Sequence, residues 1–171
     1  TNGGGKVSSP PSTVSRSNWP LNRQQMMQRC LEPELMNGDA QVQAYAAADF
    51  SSGDRATVEG VQQLIDRTSP LPPEPLVVDL GCGPGNITLR LAELFPHARI
   101  IGIDGAEAML VLARERAQRQ SLEISFLCLT LQEVLKGTLL GRADLVVSNS
   151  LLHHLHQPEL LWNVTRGLAA P

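Results

Sequence analysis

The hydrophobic positions of this chain change their spacing several times after residue 41. Residues 41–50 are rich in strong helix formers and are followed by "SSGD", a group typical of a turn and a helix cap. The next segment, "RATVEGVQQLIDR", places four apolar side chains on one helical face: Val58, Val61, Leu64 and Ile65. The proline-rich "TSPLPPEP" cannot continue a helix or a central strand. We therefore predict N-terminal helices over 41–69 and a linker over 70–75.

From residue 76 onward, short apolar runs alternate with amphipathic segments. The apolar runs are typical of buried strands: "LVVDL", "ARIIGID", "EISFLCL" and "ADLVVSN". The amphipathic segments that follow them are predicted helices: "NITLRLAELF", "AEAMLVLARERAQRQ", "LQEVLKG" and "QPELLWNVTRGLA". Strands and helices that alternate in this way indicate parallel βαβ units with helices on both faces of the sheet. The predicted fold class is α/β, with a doubly wound sheet.

Composition narrows the class of protein further. A chain of 171 residues suits one domain, and a net charge of −3 gives no general attraction to nucleic acid or an anionic membrane. No apolar run approaches the roughly 20 residues that span a bilayer. Cys30, Cys82 and Cys128 match neither a disulfide framework nor a metal-ligand spacing, which favours a reduced, cytoplasmic setting.

The first forty residues differ in composition from the rest of the chain. They are rich in Gly, Ser and Pro, and residues 1–29 carry four cations without one acidic side chain. We expect residues 1–40 to be a disordered leader and chain entry, with the folded domain over 41–171 and its ligand-binding core over 76–171. An organelle transit peptide is the alternative interpretation of this leader.

The segment "VVDLGCGPGNIT" suggests what the domain binds. Ligands of open parallel sheets lie outside the carboxyl ends of the strands, and the glycines of "GCGPG" lie at that end of the first strand. Asn86 is a predicted N-cap of the following helix. Asp104 ends the second strand and can accept hydrogen bonds from both hydroxyls of a ribose. The glycines stand one residue closer together than in a dinucleotide site, and Asp79 suits an ammonium group better than a pyrophosphate. S-adenosylmethionine carries both a ribose and an ammonium group.

Three segments together resemble the class I S-adenosylmethionine-dependent methyltransferases: "VVDLGCGPGNIT", "ARIIGIDGAEAML" and "ADLVVSNSLLHHL". The resemblance implies a Rossmann-like, mainly parallel sheet with the first four strands in the order 3-2-1-4 and three further strands. It also implies a set of cofactor-binding residues: Asp79, Gly81, Cys82, Gly83, Gly85, Asp104, Gly105, Met109, Thr130, Leu131 and Asn149. Among them Thr130 stands where the family commonly has an Asp that bonds to the adenine amino group. Because the sequence stops where a fifth strand is expected, we expect it to be truncated after the fourth strand and its helix.

Several other residues invite a chemical role. The spacing of His153, His154 and His156 does not place three imidazoles on one helical face, so no metal site is expected. His153 or His154 is a candidate for a general base, with capping and packing of the loop as the alternative. Tyr45 and Phe50 either close over the ligand or pack against the sheet. We interpret three cationic residues as the solvated end of a helix, where the helix dipole favours positive charge: Arg114, Arg116 and Arg119.

These features define the predicted function. The chain is expected to be an enzyme that transfers the methyl group of S-adenosylmethionine to a small-molecule acceptor by in-line displacement. Since the donor is already activated, the protein mainly has to align donor and acceptor. The alternatives are an NAD-dependent oxidoreductase on a similar fold and a non-catalytic cofactor-binding module. No nucleic-acid or membrane partner is expected.

Overall fold

The computed structural model describes residues 38, 42, 44, 45, 47–68 and 70–170. Most of the predicted leader lies outside the described residues. Five helices and four strands are bounded along the described chain, in this order: α1 Ser51–Arg67, β1 Leu76–Leu80, α2 Asn86–Leu94, β2 Arg99–Asp104, α3 Glu107–Arg119, β3 Ile124–Cys128, α4 Leu131–Val134, β4 Leu145–Ser148 and α5 Glu159–Leu168. No helix among the described residues is long and apolar enough to cross a membrane.

The four strands form one parallel sheet in the order β3-β2-β1-β4. This order confirms the doubly wound α/β prediction. Strand β1 lies in the middle, with Val77 opposite Ile100 of β2 and opposite Leu145 of β4. Every residue of β1 is buried, which explains why its sequence is almost continuously apolar.

The two faces of β1 contribute to different hydrophobic cores. Leu76, Val78 and Leu80 pack in a cluster with residues of α4 and α5. Val77 points to the opposite face and joins a second cluster, which includes Ile87 of α2. Since side chains alternate across a strand, Asp79 shares the face of Val77 and points toward α2.

Helix α1 begins four residues earlier than the core of its sequence pattern indicates. The prediction that "SSGD" is a turn before the helix was wrong, because Ser51 to Asp54 form its first turn. The Asp49 carboxylate accepts a hydrogen bond from the Ser51 amide at 2.9 Å, which satisfies one of the free donors at the helix start. Asp54 is then buried against the neighbouring elements, at 6% exposure.

After α5 the backbone comes alongside the start of β4. Ala169 forms a parallel bridge with Ala143. The Ala170 amide donates to the Ala143 carbonyl at 2.8 Å, and the Ala143 amide donates to the Leu168 carbonyl at 2.8 Å. These bonds lie on the side of β4 away from β1.

Candidate functional site

The glycine-rich loop after β1 is fixed over the end of β2. The amides of Gly81 and Cys82 both donate to the Ile103 carbonyl, at 2.8 and 3.0 Å. Gly83 has a φ of 52°, a left-handed conformation that glycine adopts without steric cost, and no atom lies within 4 Å of where its Cβ would be. At Gly83 the loop therefore presents bare backbone to open space.

Asp104 is the charged centre of this region. Its Oδ2 accepts the Gly83 amide at 2.8 Å, and its Oδ1 accepts the Ala106 amide at 2.8 Å. Burial raises the pKa of Asp104, while these backbone hydrogen bonds and the nearby His154 oppose the rise. Each carboxylate oxygen has further lone pairs, so the group can accept hydrogen bonds from two neighbouring hydroxyls.

An open cleft lies at the carboxyl ends of the strands, with a volume of about 930 Å³ that includes the space at its mouth. Most of the predicted cofactor-binding residues line it: Gly81, Gly83, Asp104, Gly105, Met109, Thr130, Leu131 and Asn149. The chain segments that follow all four strands thus contribute to one cleft. This is the position that an open parallel sheet favours for a ligand.

Three of the predicted residues, Asp79, Cys82 and Gly85, do not line the cleft. Asp79 is 1% exposed, and its Oδ2 accepts the Thr88 hydroxyl of α2 at 2.6 Å. Burial raises the pKa of Asp79 to about 6, against the effect of the Thr88 hydrogen bond. The carboxylate therefore lies beneath the loop rather than at its surface.

Cys82 and Gly85 belong to the glycine-rich loop but contact the protein interior instead of the cleft. The Cys82 thiol is buried, and burial is the main cause that raises its pKa, which agrees with a core side chain rather than a nucleophile. Gly85 has a φ of 84°, and a Cβ there would lie 3.1 Å from Leu89 and 3.3 Å from Ala113. Gly85 therefore lets α2 begin close against α3.

Asn86 has a different role from the one predicted. The N-cap of α2 is Gly85, without a side-chain hydrogen bond, and Asn86 is the first helical residue. The prediction that Asn86 caps this helix was wrong. Its side chain accepts a hydrogen bond from Arg116 instead, at 2.8 Å.

Thr130 faces the cleft while it also caps the short helix α4. Its hydroxyl donates to the Glu133 carboxylate at 2.8 Å and accepts the Glu133 amide at 3.3 Å. This capping box fixes the Thr130 rotamer. The hydroxyl oxygen keeps one acceptor site, so its capacity to bind an amino group is smaller than that of a carboxylate.

Of the two histidine candidates, His154 lines the cleft and His153 does not. The two rings lie 4.0 Å apart between centroids. Tyr45 also lines the cleft, and burial raises its pKa, with contributions from Asp54 and Asp104. Its ring lies 4.8 Å from that of Phe50, and it packs against the cluster that contains Met109, so the packing alternative holds for Tyr45.

The cleft also contains residues that the sequence analysis did not select: Ile103, Leu129, Gln132, Ser150, Leu151 and Leu155. Most of them lie a few residues after the end of a strand. Their position relative to the predicted strand ends could therefore have identified them from the sequence. Within the described part of the chain, no three His, Cys, Asp or Glu side chains come together as a metal site would require.

The sheet order β3-β2-β1-β4, the glycine loop after β1 and the hydrogen-bonded carboxylate at the end of β2 are the arrangement that the resemblance to class I methyltransferases implied. The chain belongs to the methyltransferase domain family, whose profile matches residues 77–170. The resemblance seen in the sequence is thereby confirmed.

Individual relatives cover only parts of the chain. A trans-aconitate 2-methyltransferase of Variovorax paradoxus is 53% identical over 64 residues, which are 37% of this chain and 24% of that protein. One from Methylobacterium radiotolerans is 38% identical over 102 residues, or 60% of this chain and 36% of that protein. Among solved structures, a magnesium protoporphyrin IX methyltransferase from Synechocystis with bound S-adenosylmethionine matches with a TM-score of 0.54 and 25% identity. That match covers 68% of this chain and 54% of the other.

Proposed function

We propose that this protein binds S-adenosylmethionine in the cleft and transfers its methyl group to a small-molecule acceptor. The observation that carries the proposal is the position of Asp104. Its two oxygens are held by the Gly83 and Ala106 amides at 2.8 Å each, facing the cleft beside bare glycine backbone. A carboxylate held in this way suits the two hydroxyls of a ribose, because charged hydrogen bonds are the stronger kind.

The other cleft residues suit the remaining parts of the same ligand. Met109 and Leu131 would hold the adenine, with the Thr130 hydroxyl as a weak acceptor for its amino group. Gly81 and the Asn149 backbone carbonyl would hold the methionine portion. Asp79 and Gly85, which do not line the cleft, would act indirectly: Asp79 through its field on an ammonium group, and Gly85 through the geometry of the loop.

When bound, S-adenosylmethionine supplies a methyl group that is already activated by its sulfonium. The protein then has to hold the acceptor in line with that methyl group and exclude water, which can account for ~7–11 kcal/mol of the barrier. His154, on the β4 side of the cleft, is the proposed residue that takes a proton from the acceptor. Trans-aconitate and magnesium protoporphyrin IX, in the names of two relatives, support a small-molecule acceptor.

The proposal also covers the domain organisation of the chain and its cellular compartment. Residues 76–171 would form the cofactor-binding core, and residues 41–69 the N-terminal helices beside it. Tyr45 would then contribute to the cover of the ligand. Cys82 and Cys128 are free thiols, which suits the reducing conditions of the cytoplasm.

Calorimetry with S-adenosylhomocysteine and with NADH tests the ligand, and transfer of a labelled methyl group into a metabolite extract tests the reaction. We expect binding of S-adenosylhomocysteine alone and a labelled small product. Binding of NADH alone would replace the proposal with an oxidoreductase. Binding of S-adenosylhomocysteine without a labelled product in any extract would favour a non-catalytic binding module.

A further inference from the structure

Three arginines on helix α3 look equivalent in the sequence but differ in their contacts. Arg114 pairs with Glu107 at 2.7 Å, and Arg119 pairs with Glu115 at 3.0 Å, both at the surface. Arg116 instead reaches across to the loop after β1. Its Nη1 donates to the Pro84 carbonyl at 3.1 Å and to the Asn86 side-chain oxygen at 2.8 Å. The expectation of a solvated helix end therefore does not hold for Arg116.

The loop is thus held from two sides. On the cleft side, the Gly83 amide donates to Asp104. On the outer side, Arg116 binds the next residue, Pro84, and the start of α2. The Pro84 side chain is fully buried, and the Gly85 amide donates to the Cys82 carbonyl at 3.0 Å. A displacement of Pro84 would therefore move the backbone of Gly83 and Gly85 with it.

The outer contact continues into helix α1. Asp54 of α1 lines a pocket together with Asn86, Arg90 and Arg116. Burial raises the pKa of Asp54, and the Arg90 guanidinium and the Asn86 side chain oppose this rise. One polar network accordingly joins α1, the start of α2 and the end of α3 behind the glycine loop.

We propose that Arg116 is a positioning residue for cofactor binding, which fixes the backbone of the Gly83–Gly85 segment from outside the cleft. This inference rests on the proposed cofactor site. Arg116 does not line the cleft, so it would act only through the loop. Preorganised loop geometry raises affinity because the ordering cost is met before the ligand arrives.

The test compares Arg116→Met, Arg116→Lys and the matched control Arg119→Met in the full chain. Hydrogen exchange of the Gly83 and Gly85 amides is measured without ligand, and the dissociation constant of S-adenosylhomocysteine is measured by calorimetry. We expect Arg116→Met to speed exchange at both amides and to weaken binding roughly threefold to tenfold, as for an indirect hydrogen-bond loss. Arg116→Lys keeps a cationic donor and should restore most of both effects. Arg119→Met should change neither.

Unchanged exchange and affinity in Arg116→Met would overturn the inference, and so would a loss of stability with unchanged affinity. If Arg116→Met does not fold, Asn86→Ala removes one of the two contacts and is expected to show the same changes in smaller size. Unaltered exchange in that variant would likewise count against the inference. If the wild type does not bind S-adenosylhomocysteine, the proposed function fails, while exchange in the ligand-free protein still decides whether Arg116 fixes the loop.

Discussion

The Gly83 amide donates to Asp104 Oδ2 over 2.8 Å, so the loop after β1 is bonded directly to the end of β2. This bond makes the carboxylate serve two purposes. It shapes the loop, and it presents its remaining lone pairs to the cleft. The effects of changing either residue should therefore appear mainly in ligand affinity.

Asp104→Ala should weaken the binding of S-adenosylhomocysteine by roughly 10- to 150-fold, since hydrogen bonds to a charged group contribute ~1.5–3 kcal/mol. Calorimetry on the folded variant measures the change. Asp66→Ala, on the exposed face of α1, is the control and should bind normally. Wild-type affinity in folded Asp104→Ala would exclude a direct contact with the ligand.

Gly83→Val should abolish binding, because a branched side chain would occupy the space that the ligand needs. Gly141 offers a matched control, since its φ of 67° is also left-handed and no atom lies within 4 Å of where its Cβ would be. Both valine variants should lose comparable stability, on the order of 1–2 kcal/mol or somewhat more. Only Gly83→Val should lose affinity for S-adenosylhomocysteine; equal affinity losses in the two variants would point to general strain.

Asp79 should make the folded state less stable as the pH rises. Burial raises its pKa to about 6 in the folded protein, from 3.8 in an unperturbed aspartate, so the folded state holds its proton more tightly than the unfolded state does. The free energy of unfolding of the wild type, relative to that of Asp79→Asn, should fall by about 2–3 kcal/mol between pH 4 and pH 7. Urea unfolding at several pH values measures this difference. A constant difference across that range would show that Asp79 is ionised in the fold throughout.

His154→Gln should lower kcat by about 100-fold, the lower range for loss of a general base. The affinity for S-adenosylhomocysteine should change less than threefold, an order-of-magnitude limit for a residue on the acceptor side. Methyl transfer to the acceptor found in the extract provides the measurement. His156→Gln is the control, because His156 does not line the cleft. A kcat that falls equally in both variants would indicate a loop effect instead of proton transfer.

The sequence pattern predicted the strands well because each is a short, mostly apolar run, and the sheet buries β1 fully and most of β2. Strand β1 was predicted and observed over the same residues, and β2 begins one residue later than predicted. The start of α1 could not be predicted in the same way. It depends on a local hydrogen bond from the Ser51 amide to Asp49 and on the burial of Asp54, and only the second arises from packing against other elements.

In the candidate site, too, some positions could be predicted from the sequence and others could not. Residues at a strand end or within three residues after it, such as Gly83, Asp104 and Asn149, line the cleft, since the topology brings strand ends together. Asp79 was assigned to the ligand from its charge and by resemblance, although strand alternation with Val77 directs it toward α2. The contacts of Arg116 with the loop could not be predicted from the sequence, because Arg114 and Arg119 on the same helix have the same side chain.

The central position of β1 also bears on how the chain folds. Strand β1 pairs with β2 on one side and with β4 on the other. Paired residues of β1 and β4 are 68 positions apart in the chain, as in the hydrogen bond from the Ser148 hydroxyl to the Leu80 carbonyl. At a synthesis rate of ~5–20 residues per second, that edge of β1 waits several seconds for its partner on the ribosome. During this interval an apolar strand with unpaired backbone groups is exposed to other nascent chains. The most buried strand of the finished sheet is therefore one that keeps an unpaired edge for much of its synthesis.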